Sequence, residues 1–420
     1  MNNKPTISII IPTHNSEQYI SRIEDCLFAQ SFSDFEAVFI VSGDDRSGEM
    51  LEDAAGKDSR IRIIKDDNSS YGHKINVGIA AAQGEYISIW ESDDEYDPEF
   101  LSELNAAMEP EVDFVKGSFA MFIGDSQGRK TMPCSLVGDA DANRIIDLKQ
   151  EPQFKANLYT HIWTGLYRTS FLRDNNIICN ETPGASFQDT GFSVLCALHG
   201  QKIKFAPKAT YLYRMDNVKS SSKDDTKYLC IKEEFDWIAA QMRARGFSDK
   251  ESEEYFNQCR NTSYLWNAKR IHEIPRAKFL EAVQQEFQPE GLEEILATRE
   301  KEHRLIEFLC GEENCILWGA AGLGRDILYL QKFIGKHAII KVVDNNPNLL
   351  GTTVAGYTVD KPDDFANYEG NFIIAGRNCA NIIKQELIEK GVDEARIVTI
   401  KQPVNREDFM LYTPLKVMKK

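Results

Sequence analysis

The stretch Tyr86–Pro98, YISIWESDDEYDP, runs an apolar segment directly into a knot of carboxylates. A strand such as Tyr86–Trp90 buries its side chains, and acids crowded at its exit repel one another unless a cation or several donors satisfy them. Glu91, Asp93 and Asp94 therefore form a candidate site for Mg²⁺ or Mn²⁺. Hard oxygen ligands suit these ions, which keep coordination positions open for phosphate oxygens. The same residues also fit an acidic, solvated turn, with Asp97-Pro98 opening the next helix.

The flanking sequence repeats one pattern. Ile7–Ile11 reads as a strand, Pro12–Ser16 as a loop, and the next segment as a helix with Ile20, Ile23 and Leu27 on one face, capped by Asn15 or Ser16. Phe35–Val41 leads into the turn Ser42–Gly48 and a short helix, and Ile61–Lys65 leads into Asn68–His73 and a helix near Ile75–Ala82. Alternation of this kind predicts a parallel sheet with helices on both faces, an α/β fold. Ligands of such sheets sit beyond the carboxyl ends of the strands, where His14, Asp44, Asp45, His73 and the acidic cluster fall.

Several ordered motifs carry a family resemblance: IIPTHNSEQYI, NVGIAAAQGEYISIWESDDEYDP, WTGLYRTSFLRDNNI, SFQDTGFSVLCALHG and KATYLYRMDNVKSSS, together covering about Pro5–Ser222. They resemble the family 2 inverting glycosyltransferases, whose fold is the GT-A nucleotide-diphospho-sugar transferase fold. The resemblance implies a metal-dependent transfer of a sugar from a nucleoside-diphosphate donor, most simply a UDP-sugar, to a glycan or lipid-linked acceptor in bacterial surface polysaccharide synthesis.

By that likeness Asp93 and Asp94 belong to the metal motif usually written DxD, with Glu91 in place of its first acid. Asp44 stands for the acid that contacts the base, displaced within Val41–Ser47. The backbone at Thr13 lies against the nucleotide, while Lys74 and Arg214 face the diphosphate. Asp189 occupies the place of the general base, which in the family is the Asp of an E-D-like motif; here Gln188 replaces the Glu. Inverting transfer is one in-line displacement and needs a single carboxylate to take the acceptor proton. Asp189 also suits a helix N-cap, and the two roles are compatible. Trp163 and His161 are implied on the acceptor side, Trp163 as a stacking platform.

Beyond Ser222 the texture changes. Asp224–Cys310 is rich in charged residues with apolar ones at helical spacing, which predicts three or four helices interrupted near Gly246 and Pro275. From Cys315 a second α/β unit begins, with a glycine-rich turn at Gly319–Gly324, and Asp344 lies about 20 positions past Gly324, the separation expected of an acid that holds a ribose. Ala321 stands where a glycine would let the backbone approach pyrophosphate. The organisation read from the sequence is thus a GT-A domain over 1–222, a helical segment over 223–310 and a small Rossmann-like domain over 311–420. An NAD-dependent oxidoreductase working through the last domain and a non-catalytic nucleotide-sugar sensor are the competing classes.

A formal net charge of −16 opposes broad attraction to nucleic acid or anionic lipid. No run of roughly 18 apolar residues is present, and Met1–Pro5 is too polar for a signal peptide. Nine scattered cysteines without C-x-x-C pairs fit reduced thiols in a cytoplasmic protein. Peripheral contact with the inner face of the membrane and a homo-oligomer remain open on these grounds.

Overall fold

The computed structural model describes residues 4–402 except 125–128, 160, 216, 218, 219, 272, 335, 336, 364, 366, 377 and 378. The chain divides into two compact units. One is formed by Met1–Phe122 with Thr131–Phe287, and the other takes in the chain from Gln288.

The first unit opens with β1 (Ile7–His14), α1 (Glu17–Ala29), β2 (Phe35–Ser42), α2 (Ser47–Lys57), β3 (Ile61–Lys65), α3 (Tyr71–Ala81) and β4 (Tyr86–Ile89). β1 pairs in parallel with β2 and β4, and β2 with β3, so the expected parallel half is present. β1, β2 and β4 are buried along nearly their whole length, as their apolar runs require, while the edge strand β3 is buried only at Ile61.

β1 runs further than expected, through Pro12 and Thr13 to His14. A proline is tolerated there because residues of one parity face one neighbour. The Ile10 carbonyl accepts the Trp90 amide, so Pro12 also faces the β4 side, where β4 has already ended. Thr13 is accordingly a buried strand residue rather than a loop residue, its hydroxyl donating to the Ile11 carbonyl at 3.1 Å.

The remainder of this unit supplies β5 (Glu95–Tyr96), α4 (Phe100–Ala107), β6 (Phe114–Ile123), β7 (Lys130–Cys134), β8 (Ile146–Asp147), β9 (Gly165–Arg168), α5 (Thr169–Asp174), α6 (Gln188–His199) and β10 (Lys202–Arg214). The ten-stranded sheet has the order β3-β2-β1-β4-β9-β6-β10-β5, with β7 on β6 and β8 on β10. β9 is antiparallel to both β4 and β6, so the parallel half passes into a mixed half at that strand.

Helices α7 (Cys230–Arg245), α8 (Lys250–Arg270) and α9 (Glu273–Val283) follow. Gly246 closes α7 in the left-handed conformation, as predicted. The second break also falls where expected, between Arg270 and Glu273, and Pro275 lies inside the first turn of α9, where its missing donor costs nothing.

In the second unit α10 (Leu292–Cys310) precedes β11 (Cys315–Trp318), α11 (Gly322–Ile334), β12 (Ile339–Val343), β13 (Thr353–Val354), β14 (Tyr357–Asp360), β15 (Asn371–Ala375), α12 (Ala380–Glu389) and β16 (Ile397–Ile400). The strand order is β13-β14-β12-β11-β15-β16. Leu305, Ile306 and Leu309 of α10 pack into the same core as Leu317, Ile327 and Ile373. That helix therefore belongs to the second unit, not to the helical segment where the sequence had put it.

Gly319 has φ +111°, and an added Cβ would lie 2.1 Å from the Ala375 carbonyl oxygen, so the turn needs glycine there. Asp344 accepts the amides of Ala320 at 2.7 Å and Asn346 at 2.8 Å. Oδ2 thus pins the glycine turn, while Oδ1 closes the turn that follows Asp344 itself.

Candidate active site

The acidic loop after β4 is fixed at both ends by aromatic packing. Trp90 stacks on Tyr96 with centroids 3.5 Å apart, and Tyr96 meets Tyr211 of β10 edge-on at 4.9 Å. Such pairs are worth about 0.5–1.5 kcal/mol each beyond the area they bury. Glu95, buried beneath the loop, accepts Arg22 at 2.9 Å and Arg214 at 2.8 Å.

The three acids of the loop then part company. Asp94 is 2% exposed, and both of its oxygens are taken: Oδ2 by the Tyr211 hydroxyl and Oδ1 by the Arg214 amide at 2.7 Å. Asp93 accepts Asn217 Nδ2 on Oδ2 at 2.5 Å, and Glu91 accepts the Tyr71 hydroxyl on Oε1. Burial pushes Glu91 up to about 8, with Asp93 and Asp189 adding to the shift and the Tyr71 hydrogen bond opposing it. Burial likewise raises Asp93, and raises Asp94 well above the carboxylate range.

These acids line a cavity of about 500 Å³ whose wall also includes His14, Tyr71, Trp163, Phe187, Asp189 and Lys227. Trp163 lies on Tyr211 at 4.0 Å and Tyr213 at 5.3 Å. Asp189 enters from the first turn of α6. The capping position of that helix is Phe187, at φ 66° and without a side-chain cap, so the expected N-cap role does not fall to Asp189. Burial raises the Asp189 carboxyl, against its own and Thr190's backbone amides and the Lys116 ammonium.

Gln188 is fully buried. Its Nε2 donates to the Thr182 carbonyl at 3.1 Å, the Thr182 hydroxyl at 3.0 Å and the Gly184 carbonyl at 2.9 Å, while Oε1 accepts the Ser186 amide at 2.5 Å. A glutamate has no donor for those carbonyls. The amide is thus what this loop requires, and the departure from the E-D-like pattern has a local physical reason.

Five other predicted residues lie outside the cavity wall, the buried strand residue Thr13 among them. Lys74 is 2% exposed and donates to the Asn68 carbonyl. Arg214 is committed to the acidic loop, its Nε donating to the Asp93 carbonyl at 3.1 Å. His161 stacks on Phe119 at 4.7 Å, and burial pushes it down to about 3. Asp44 is exposed, its amide bound by Asn15 Oδ1 at 3.1 Å.

The capping of α1 also differs from expectation. Ser16 holds the N-cap position without a side-chain cap, while Asp45 accepts the Glu17 amide at 2.9 Å. Tyr71, Asn217, Lys227 and Glu234 were missed from the sequence. Asn217 and Tyr211 do fall within KATYLYRMDNVKSSS, but nothing local marks their partners.

The first unit thus joins a GT-A-like sheet to a cavity lined by acids and a Trp. Residues 8–173 match the model of the family "Glycosyl transferase family 2". Among similar proteins, "Uncharacterized glycosyltransferase EpsJ" of Bacillus subtilis is 29% identical over 217 residues, 50% of this chain and 61% of that one. "Poly(ribitol-phosphate) beta-N-acetylglucosaminyltransferase TarS" of Staphylococcus aureus is 27% identical over 216 residues, 49% of this chain and 35% of that one. The match thus spans 61% of the length of EpsJ and far less of TarS. The crystal structure of S. aureus TarS 1–349 in complex with UDP-GlcNAc matches with a TM-score of 0.50 at 20% identity, over 72% of this chain and 86% of that one, a likeness of fold. Among the described residues no helix is long and apolar enough to cross a membrane.

Proposed function

We propose that the first unit is a metal-dependent inverting glycosyltransferase, moving a sugar from a nucleoside-diphosphate donor, a UDP-sugar, to a glycan or lipid-linked acceptor in bacterial surface polysaccharide synthesis. The observation that carries this reading is that Asp189 shares one cavity with Glu91 and Asp93. The names of the relatives and the UDP-GlcNAc complex of TarS support the donor class.

Among the described residues no three His, Cys, Asp or Glu side chains converge as a ready-made ligand set. The arrangement still fits Mn²⁺ or Mg²⁺, because such ions bind through one or two carboxylates together with substrate phosphates. Glu91 and Asp93 would hold it, each having one oxygen occupied by a neutral donor, whereas Asp94 braces the loop. When bound, the cation neutralises charge developing on the departing nucleoside diphosphate.

The remaining steps belong to the chain. Asp189 takes the proton of the acceptor hydroxyl as that oxygen attacks the anomeric carbon in line, a base contribution of about 10²–10⁴-fold. Its raised carboxyl makes it a stronger proton acceptor once ionised. Trp163, held flat by Tyr211 and Tyr213, offers a face to the acceptor sugar. Lys227 and His14, which line the cavity, serve the diphosphate in place of Lys74 and Arg214. A hydrolysis screen across nucleotide sugars, with Mn²⁺ and with chelator, tests the reading. Turnover of no donor by a folded protein, or turnover indifferent to both chelation and Asp189→Asn, would overturn it.

A further inference from the structure

The segment from Asn180 to Gly191 supplies Ala185, Ser186, Phe187, Gln188 and Asp189 to the cavity wall. One side chain from outside it grips both of its ends. Glu234, on α7 and 1% exposed, accepts the Gly191 amide on Oε1 at 3.0 Å and Asn180 Nδ2 on Oε2 at 3.0 Å. The approach is close enough to dictate the residue opposite: a Cβ on Gly191 would lie 2.4 Å from Glu234 Oε1 and 2.6 Å from the Trp237 ring. Gly191 lies at the start of α6, just after the four amides without intrahelical acceptors, and the carboxylate adds a second acceptor to its amide.

Resting on the reading of Asp189 as the base, we propose that Glu234 is a positioning residue for the transfer reaction, clamping the Asn180–Gly191 segment so that Asp189 faces the cavity in one fixed orientation. The helical region after the sheet thereby reaches the chemistry through one carboxylate. No such task falls to the interior of the segment, since Gln188 ties only the loop between Thr182 and Ser186. The charges and titratable groups around Asp189 come from several elements: Lys116 on β6, Glu91 after β4, Tyr71 on α3, Tyr159 and Tyr167, Cys179 and Glu234 itself. Of these, Glu234 alone is hydrogen-bonded to both ends of the segment.

The test uses the full chain with Glu234→Gln, Glu234→Asp and Asp189→Asn, and two readouts. The first is amide hydrogen exchange over 181–191. Glu234→Gln keeps an acceptor for the Gly191 amide but turns a donor toward Asn180, so exchange should rise about tenfold in this segment and stay unchanged in β1 and β4; a tenfold rise corresponds to about 1.4 kcal/mol of lost protection. The second is turnover of whichever nucleotide sugar the unaltered protein hydrolyses with Mn²⁺. A displaced base of about 1 Å costs on the order of a hundredfold, so kcat should fall toward that extent with KM for the donor unchanged, and Glu234→Asp should recover part of it. Unchanged exchange in the segment overturns the clamp. Faster exchange with unaltered kcat, in a protein that Asp189→Asn inactivates, overturns its link to catalysis. Full activity of Asp189→Asn would instead sink the assignment of the base, and the exchange data would still decide whether Glu234 holds the segment.

Discussion

The backbone amide of Arg214 donates to Oδ1 of Asp94 at 2.7 Å, while the Tyr211 hydroxyl occupies Oδ2 of the same carboxylate. Two neighbouring acids that the sequence treats alike are therefore separated by β10: Asp94 is a brace, and Asp93, on which a single oxygen accepts Asn217, remains addressed to the cavity.

Substitution should divide them. Asp93→Asn should keep its melting temperature and lose Mn²⁺-stimulated binding of UDP, whereas Asp94→Ala, which leaves the Arg214 amide and the Tyr211 hydroxyl without their acceptor, should lose about 1–3 kcal/mol of stability. Calorimetry with UDP and Mn²⁺ beside a thermal melt distinguishes the pair. Metal-stimulated binding that survives intact in Asp93→Asn would remove it from the ligand set.

Asp189→Asn should lower transfer by roughly two or more orders of magnitude while donor affinity holds. Folding should hold, since the capping position belongs to Phe187 and Asn keeps an oxygen for the amides of residues 189 and 190. A circular dichroism melt recorded with the rate assay checks both halves, and a variant that loses structure before rate would point back to a capping role.

Gln188→Glu restores the family's acid and should nevertheless be harmful. The new carboxylate would face the Thr182 and Gly184 carbonyls without a proton to offer, at a cost of about 1–3 kcal/mol for the unsatisfied groups. A denaturant midpoint equal to that of the unaltered protein would show that the loop tolerates the charge.

Stability should also depend on pH through Glu234. Burial, with Asp189 adding to it, raises this carboxyl from 4.5 to about 8 against the opposing Asn180 and Gly191 hydrogen bonds. Between those values the folded state binds the extra proton, so the contribution is fully present below the unfolded pKa and is lost as pH rises through about 8. Urea midpoints should fall across this window in the unaltered protein and fall less in Glu234→Gln. Parallel curves would exclude Glu234 as the titrating group.

The residues assigned to metal, base and donor all precede Phe287, the last of them being Lys227, and α10 packs with the second unit. A chain ending at Phe287 should therefore still hydrolyse the donor used by the full chain, and tight NAD binding by the second unit is not expected while Asp344 holds the Ala320 amide. A folded but inactive truncation would show that the second unit is required for the reaction.

Local pattern was enough for much of this. Strand and helix periods are set by which side chains must be buried, so the parallel half-sheet, the acidic exit of β4 and the approach of α6 could be read from Ile7–Ile11, Tyr86–Pro98 and Ser186–Gly200. The sequence also determined the choice of amide over acid at Gln188, although its reason emerges only from the carbonyls around it. What tertiary structure alone decided is where each polar group spends its hydrogen bonds. Lys74 is consumed by Asn68, Asp45 rather than Ser16 serves the first turn of α1, Asp94 is turned toward β10, and Glu234 reaches Gly191 from 43 residues away. Such pairings depend on partners distant along the chain and on the dielectric cost of burying them, and neither quantity is carried by a residue's neighbours in sequence.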